Sequence, residues 1–222
     1  MDNTPIPFYL KDCALIALAT GKKAQNLREL NENLHDIDAN SIYYHFWGGL
    51  LRARFDNPEY HNDFAIWVAH CLHNKALAEQ LAVVDPMAFD TIDDLRNELI
   101  EIIEENLYDT EFPTWAKRDD QFEFIRSQIV VFDTGISLND PADFLHFLPQ
   151  MSLGSVFYHF IEGRRRNPNA ADDFRNWLFH FGKEHEDLCI EIGDICPYFK
   201  PLKKLRAELL TTFTSYFKKQ GR

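Results

Sequence analysis

The chain has 222 residues, 45% of them hydrophobic, enough to build packed cores and too many for a disordered chain. Its net charge of −12 disfavours nucleic-acid binding, which needs a basic surface to displace counterions. The charge is uneven: residues 1–111 hold 8 Lys/Arg and 20 Asp/Glu, whereas residues 112–222 hold 15 of each. The acidic first half reads either as a solvated face or as a docking face for a basic protein partner.

The N-terminus, Met1-Asp2-Asn3-Thr4-Pro5, lacks the basic start and apolar core of an export signal. The longest apolar run, Cys13 to Ala19, is too short to cross a bilayer. A cytoplasmic protein without membrane association is expected. The segment 8–19 is ambiguous between strand and helix. Its Ala- and Leu-rich centre favours helix, with Gly21 as the C-terminal stop. Leu27, Leu30, Leu34 and Ile37 then form one helical face, with Asn26 as cap and Glu29 three residues on. Ser41 is read as the start of the helix carrying His45, and Asn62 or Asp63 as the start of the one carrying Trp67. Lys75 to Val84 is helical, ending before Pro86. Ile92, Leu95, Leu99, Ile102 and Ile103 mark a further helix, capped by Thr91 with Asp94 at the third position.

Most of this text then repeats. Phe8 returns as Phe122, Thr20-Gly21 as Thr134-Gly135, and Ser41-Ile-Tyr-Tyr-His45-Phe46-x-x-Gly49 as Ser155-Val-Phe-Tyr-His159-Phe160-x-x-Gly163. After a deletion of about four residues, Arg54-x-x-Asn57-Pro58 returns as Arg164-x-x-Asn167-Pro168. Asp63-Phe64-x-x-Trp67-x-x-His70 returns as Asp173-Phe174-x-x-Trp177-x-x-His180. The chain is an internal duplication. In the second copy Phe122 to Ile125 and Ile129 to Phe132 have strand-like β-branched content. Because ungapped copies share one structure, helix is assigned to both opening segments. The expectation is an all-α fold: two tandem helical units of about six helices each, residues 1–112 and 113–222.

The duplication also filters residues, since a role built into the ancestral unit survives in both copies. No cysteine does: Cys13, Cys71, Cys189 and Cys196 face Ser127, Phe181, Ala78 and Asp85. That argues against a zinc or disulfide framework and for reduced, buried thiols. Five polar residues do recur. Tyr44, His45, Arg54, Asp63 and His70 match Tyr158, His159, Arg164, Asp173 and His180. Asp63, Trp67 and His70 share a helix face, and His45 could meet Asp63 or His70 from the preceding helix. One reading is structural, an Asp–His bond that satisfies a buried imidazole and fixes helix pairing. The other is a small-molecule pocket with Arg54 and Arg164 holding a phosphate or carboxylate. His45, His70 and Asp63 would also suit a divalent metal, but no H-x-x-x-H or H-E-x-x-H spacing supports one, so no metal or cofactor is expected. Trp67 and Trp177 read as core. No nucleophile elbow, phosphate loop or dinucleotide fingerprint is present.

The motifs Thr20-Gly21-x-x-Ala24-x-Asn26-Leu27-x-Glu29-Leu30, Ser41-Ile-Tyr-Tyr-His-Phe-Trp-Gly-Gly-Leu-Leu-Arg52 and Asn62-Asp63-Phe64-x-x-Trp67 resemble a prokaryotic family of uncharacterised proteins, a domain of unknown function. The resemblance is fullest in the first copy; the second loses Trp47, Gly48 and the Leu-Leu-Arg that follows. It implies no activity, cofactor or catalytic residue, and it suggests that any site is more complete in the first copy. The sequence thus favours a non-catalytic interaction or regulatory module, with a His/Asp/Arg small-molecule pocket as the alternative.

Overall fold

In the computed structural model, which describes residues 6–51, 59–108 and 114–221, the segment opening each copy is a strand. β1 runs Phe8–Ala24 and β2 runs Phe122–Leu138. They pair antiparallel as a two-stranded sheet. The all-α expectation, and with it the picture of two tandem helical bundles, is corrected to a mixed α/β fold. The helix propensity of the Ala- and Leu-rich stretch 13–19 is a weak preference, and tertiary context overrides it. Here the context is a partner strand rich in Ile, Val and Phe. The period-2 pattern is visible in burial: Phe8 and Leu10 are buried around exposed Tyr9, and Phe122 and Phe124 around exposed Glu123. The next buried positions, Cys13 and Ser127, come three residues later, so the alternation slips once in each strand.

Gly21, read as a helix stop, and its counterpart Gly135 lie inside these strands with φ of +79° and +72°. Beside each, a threonine spans the ribbon. Thr20 Oγ1 donates to the Phe124 carbonyl at 2.6 Å, and Thr134 Oγ1 donates to the Leu10 carbonyl at 2.5 Å. A Cβ on either glycine would meet nothing within 4 Å, so the requirement for glycine is purely one of backbone conformation.

By packing, the chain divides into two units. One is Leu15–Gln128; the other combines the stretch up to Ala14 with everything from Ile129 onward. Both dividing lines fall inside strands, so a packed unit is not one sequence copy. The opening residues of β1 pack with helices of the second copy: Phe8 lies 5.0 Å from the Phe144 ring and stacks on Phe174 at 5.6 Å. The opening residues of β2 pack with helices of the first: Phe122 stacks on Phe64 at 5.1 Å and meets Trp67 at 5.6 Å.

In the unit Leu15–Gln128 the caps read from the sequence are present. Asn26 Oδ1 accepts the Glu29 N–H at 2.9 Å ahead of helix Leu27–Leu34, and the Glu29 carboxylate accepts the Gln25 N–H. Helix Ala39–Tyr43 starts at Asp38 rather than at Ser41. Ser41 lies within it and donates its hydroxyl proton to the Ile125 carbonyl of β2 at 2.8 Å. This helix widens into a π turn at Tyr44–Gly48. Asn62 caps helix Asp63–His70, which is followed by helix Lys75–Ala82. Helix Ile92–Tyr108 opens on the reciprocal Thr91–Asp94 box and buries Leu95, Leu99 and Ile103.

The other unit follows a related plan. Helix Leu153–Val156 passes into a π turn at Phe157–Glu162 and then into helix Gly163–Arg166. Helices Asp173–Leu178, Glu186–Gly193 and Leu202–Lys219 complete it. Its core holds Phe144, Phe174 and Phe213, all fully buried. No helix among the described residues is long and apolar enough to cross a membrane.

Because only backbone conformation demands them, Gly21→Ala and Gly135→Ala should each cost about 1–2 kcal/mol of stability, the ordinary penalty for a side chain in the left-handed region. Urea denaturation at equilibrium would measure this. A change near zero would show that the strand relaxes around the new side chain.

A duplicated histidine clamp and an adjoining cleft

His45 sits in the π turn Tyr44–Gly48 and His159 in the π turn Phe157–Glu162. Each side chain is only 3% exposed, so both ring nitrogens need partners. The Ile125 N–H donates to His45 Nε2 at 3.1 Å, and the Lys11 N–H donates to His159 Nε2 at 2.9 Å. With Nε2 accepting, the ring proton sits on Nδ1. It faces a carboxylate in both units: Asp63 Oδ2 at 3.0 Å and Asp173 Oδ2 at 2.7 Å. A neutral imidazole thus bridges a strand N–H and the carboxylate that opens the next helix. Of the two sequence readings, the geometry here is that of a clamp, with both ring nitrogens engaged.

The aromatic residues of the motif close around this bridge. The Phe8 ring lies 4.8 Å from His159 and the Phe122 ring 4.6 Å from His45. Trp67 and Trp177 are buried, and their indole N–H groups donate to the Asp120 and Ile6 carbonyls at 2.7 and 2.6 Å. Gly163 has its own reason to be glycine. A Cβ there would stand 2.9 Å from the Asp173 nitrogen, closer than a real contact permits, so the bare backbone lets the helix start approach.

Asp173 is held by more than the histidine. Arg166 donates to its Oδ2 at 2.5 Å and Asn167 to its Oδ1 at 3.0 Å. Burial alone would raise this carboxyl. The hydrogen bonds from His159 and Asn167 and the charge of Arg166 outweigh burial and hold it below its ordinary value.

The other residues singled out in the sequence distribute differently. Tyr44 is buried with its ring against His45. His70 is exposed, its ring 6.5 Å from that of Tyr60. Arg54 lies outside the described residues. Among the described residues, no group of three His, Cys, Asp or Glu is placed to hold a metal ion. In the second copy Arg164 approaches the fully buried Asp172 at 3.7 Å and reaches the Ile195 carbonyl at 3.3 Å. Asp172 also receives Arg175 Nε at 2.6 Å, yet burial pushes its carboxyl above the ordinary value. The matching residue of the first copy, Asn62, makes the same helix cap without a charge. The thiols of Cys13 and Cys189 are pushed up by burial to about 12 and about 11, far from the thiolate form a nucleophile needs.

Tyr158, His159, Asp173 and His180 do share one feature, a solvent-open cleft of about 300 Å³ that Lys11 and Arg166 also line. Sequence reasoning reached the first four through the duplication. Arg166 ends the run Arg164-Arg165-Arg166 and faces Asp56 in the first copy, so the duplication does not flag it. Nothing in the sequence brought Lys11 near them, because that requires knowing which helices receive β1.

Residues 5–214 match the model of DUF5752, a family of unknown function, and the chain belongs to that family. Its fold is also that of a solved protein, OrfY from Thermoproteus tenax. The two chains are 27% identical, with 96% of each covered and a TM-score of 0.81. No curated protein matches the chain.

Removing either imidazole orphans a strand N–H and takes one partner from a partly buried carboxylate. His45→Ala and His159→Ala should each lower stability by roughly 2–4 kcal/mol in chemical denaturation. A loss below about 0.5 kcal/mol would mean that the bridge is dispensable.

Asp173 gives the pH dependence its sign. A carboxyl held below its unfolded value contributes stability that is present above about pH 4 and lost as pH falls through the folded value. The stability difference between wild type and Asp173→Asn should therefore shrink as the solution is acidified below about pH 4. A difference independent of pH would overturn the assignment.

Proposed function

We propose that the protein is a non-catalytic interaction module that engages a basic protein surface through its acidic first half. The observation that carries this reading is a stripe on helix Ile92–Tyr108. Asp94, Glu98, Glu101 and Glu105 follow one another at spacings of four, three and four, which places them on one helical face. Like charges so spaced repel and destabilise a helix by a few tenths of a kcal/mol per pair. Acidic residues near a helix C-terminus, as at Glu105, also oppose the helix dipole. Among the described residues Glu98, Glu101 and Glu105 form no ion pair that would offset this. Helix stability does not account for the stripe, and a cationic partner surface would. The engagement of both histidines in structural bonds supports the absence of acid–base chemistry at the duplicated motif.

The test is capture of a partner from native lysate by the untagged, immobilised protein and by a Glu98→Lys, Glu101→Lys, Glu105→Lys variant. Recovery of a basic partner by the wild type, weakened by salt and lost in the variant, is the expected result. Equal recovery by both proteins, or no partner together with turnover of a metabolite, would refute it.

A further inference from the structure

The cleft beside His159 carries an excess of positive charge that its counterpart positions lack. Its ionised lining groups are Lys11 and Arg166 against Asp173. The Asp173 carboxylate is occupied by His159, Arg166 and Asn167. Arg166 spends only Nη2 on that carboxylate. Its guanidinium lies over the Tyr158 ring at 4.0 Å, which fixes the plane of the fork. Among the described residues Nε and Nη1 of Arg166 have no partner, and neither does Lys11 Nζ. A guanidinium oriented by a carboxylate and a tyrosine, with donors to spare and an ammonium lining the same cleft, is suited to an oxyanion. The spare donors of Arg166 together with the Lys11 ammonium suit the three terminal oxygens of a phosphate monoester better than the two of a carboxylate.

The duplication separates this feature from the clamp. His159 and Asp173 have counterparts in His45 and Asp63. Lys11 and Tyr9, however, correspond to Ile125 and Glu123 at the strand offset, and Arg166 and Asn176 to Asp56 and Ile66 at the helix offset. The structural bridge is common to both copies, whereas the cations belong to one. A volume of about 300 Å³ lies at the small end of ligand sites.

We propose that this cleft binds a small molecule through a phosphate monoester group, held by Arg166 and Lys11 above the Asp173–His159 pair. The inference goes beyond the partner-binding reading and is tested separately, because it uses none of the acidic stripe. Calorimetric titration of the full chain with glycerol phosphate and with inorganic phosphate, at fixed ionic strength, is the experiment. Citrate serves as the carboxylate comparison. Saturable binding of the phosphate compounds is expected, weakened about tenfold or more by Lys11→Gln and by Arg166→Gln. Lys183→Gln, which removes a cation from a different cavity, should leave it unchanged. Lys11→Gln is the decisive variant: the fold uses only the backbone N–H of residue 11, so a folded Lys11→Gln protein reports on the site itself. No saturable binding by the wild type, undiminished binding in the folded Lys11→Gln protein, or citrate binding as tight as that of glycerol phosphate would each overturn the proposal.

Discussion

The bond between a strand N–H and a buried neutral imidazole holds this architecture together. Burying a histidine leaves two nitrogens to satisfy, and burying the face of a two-stranded ribbon leaves backbone groups that no third strand can take. One ring solves both problems. Nε2 accepts the strand N–H, Nδ1–H is committed to the aspartate that opens the next helix, and the phenylalanine three residues before that N–H in the strand packs against the ring. Strand, π turn and helix start are thus locked by a single side chain. The π turns belong to this arrangement: the imidazole of each copy occupies one, and π turns inside helices commonly accompany such local demands.

What the sequence disclosed follows from the range of the interactions involved. The caps at Asn26, Asn62 and Thr91 depend on residues three positions away, and they were legible. The Asp–His contacts were legible because the duplication flagged both residues and helical spacing placed them. The strands were not. The partner that makes Phe8–Ala24 extended lies more than a hundred residues downstream, and a local reading sees only alanines and leucines. The second partner of each imidazole, a strand N–H, depended on the strands and was hidden with them. The two opening segments do share one structure, and the β-branched text of the second copy is the one that signals it.

The two copies also show how a shared framework diverges. Asn62 and Asp172 make the same helix cap, but the aspartate brings a buried charge and with it the need for Arg164 and Arg175. Arg164, which resembled a ligand-binding residue in the sequence, lies against that charge. Around the other aspartate of the same helix start, the second copy has gained Arg166, whose fork is only partly spent. Charge has thus been added around an unchanged hydrogen-bonded bridge.

The placement of Phe8 has a consequence for the order in which the chain can assemble. Its ring sits among Phe144, Phe174 and Trp177, and its neighbour Lys11 completes the His159 bridge. A ribosome adding about 5–20 residues per second emits the last of those partners roughly 8–35 s after the strand that awaits them. The first strand lacks its pairing partner until β2 has been made, and its opening residues lack their helices until the interval ends. An apolar extended segment in that state is the part of the nascent chain most in need of protection, and its docking is a late, long-range step that closes the final unit.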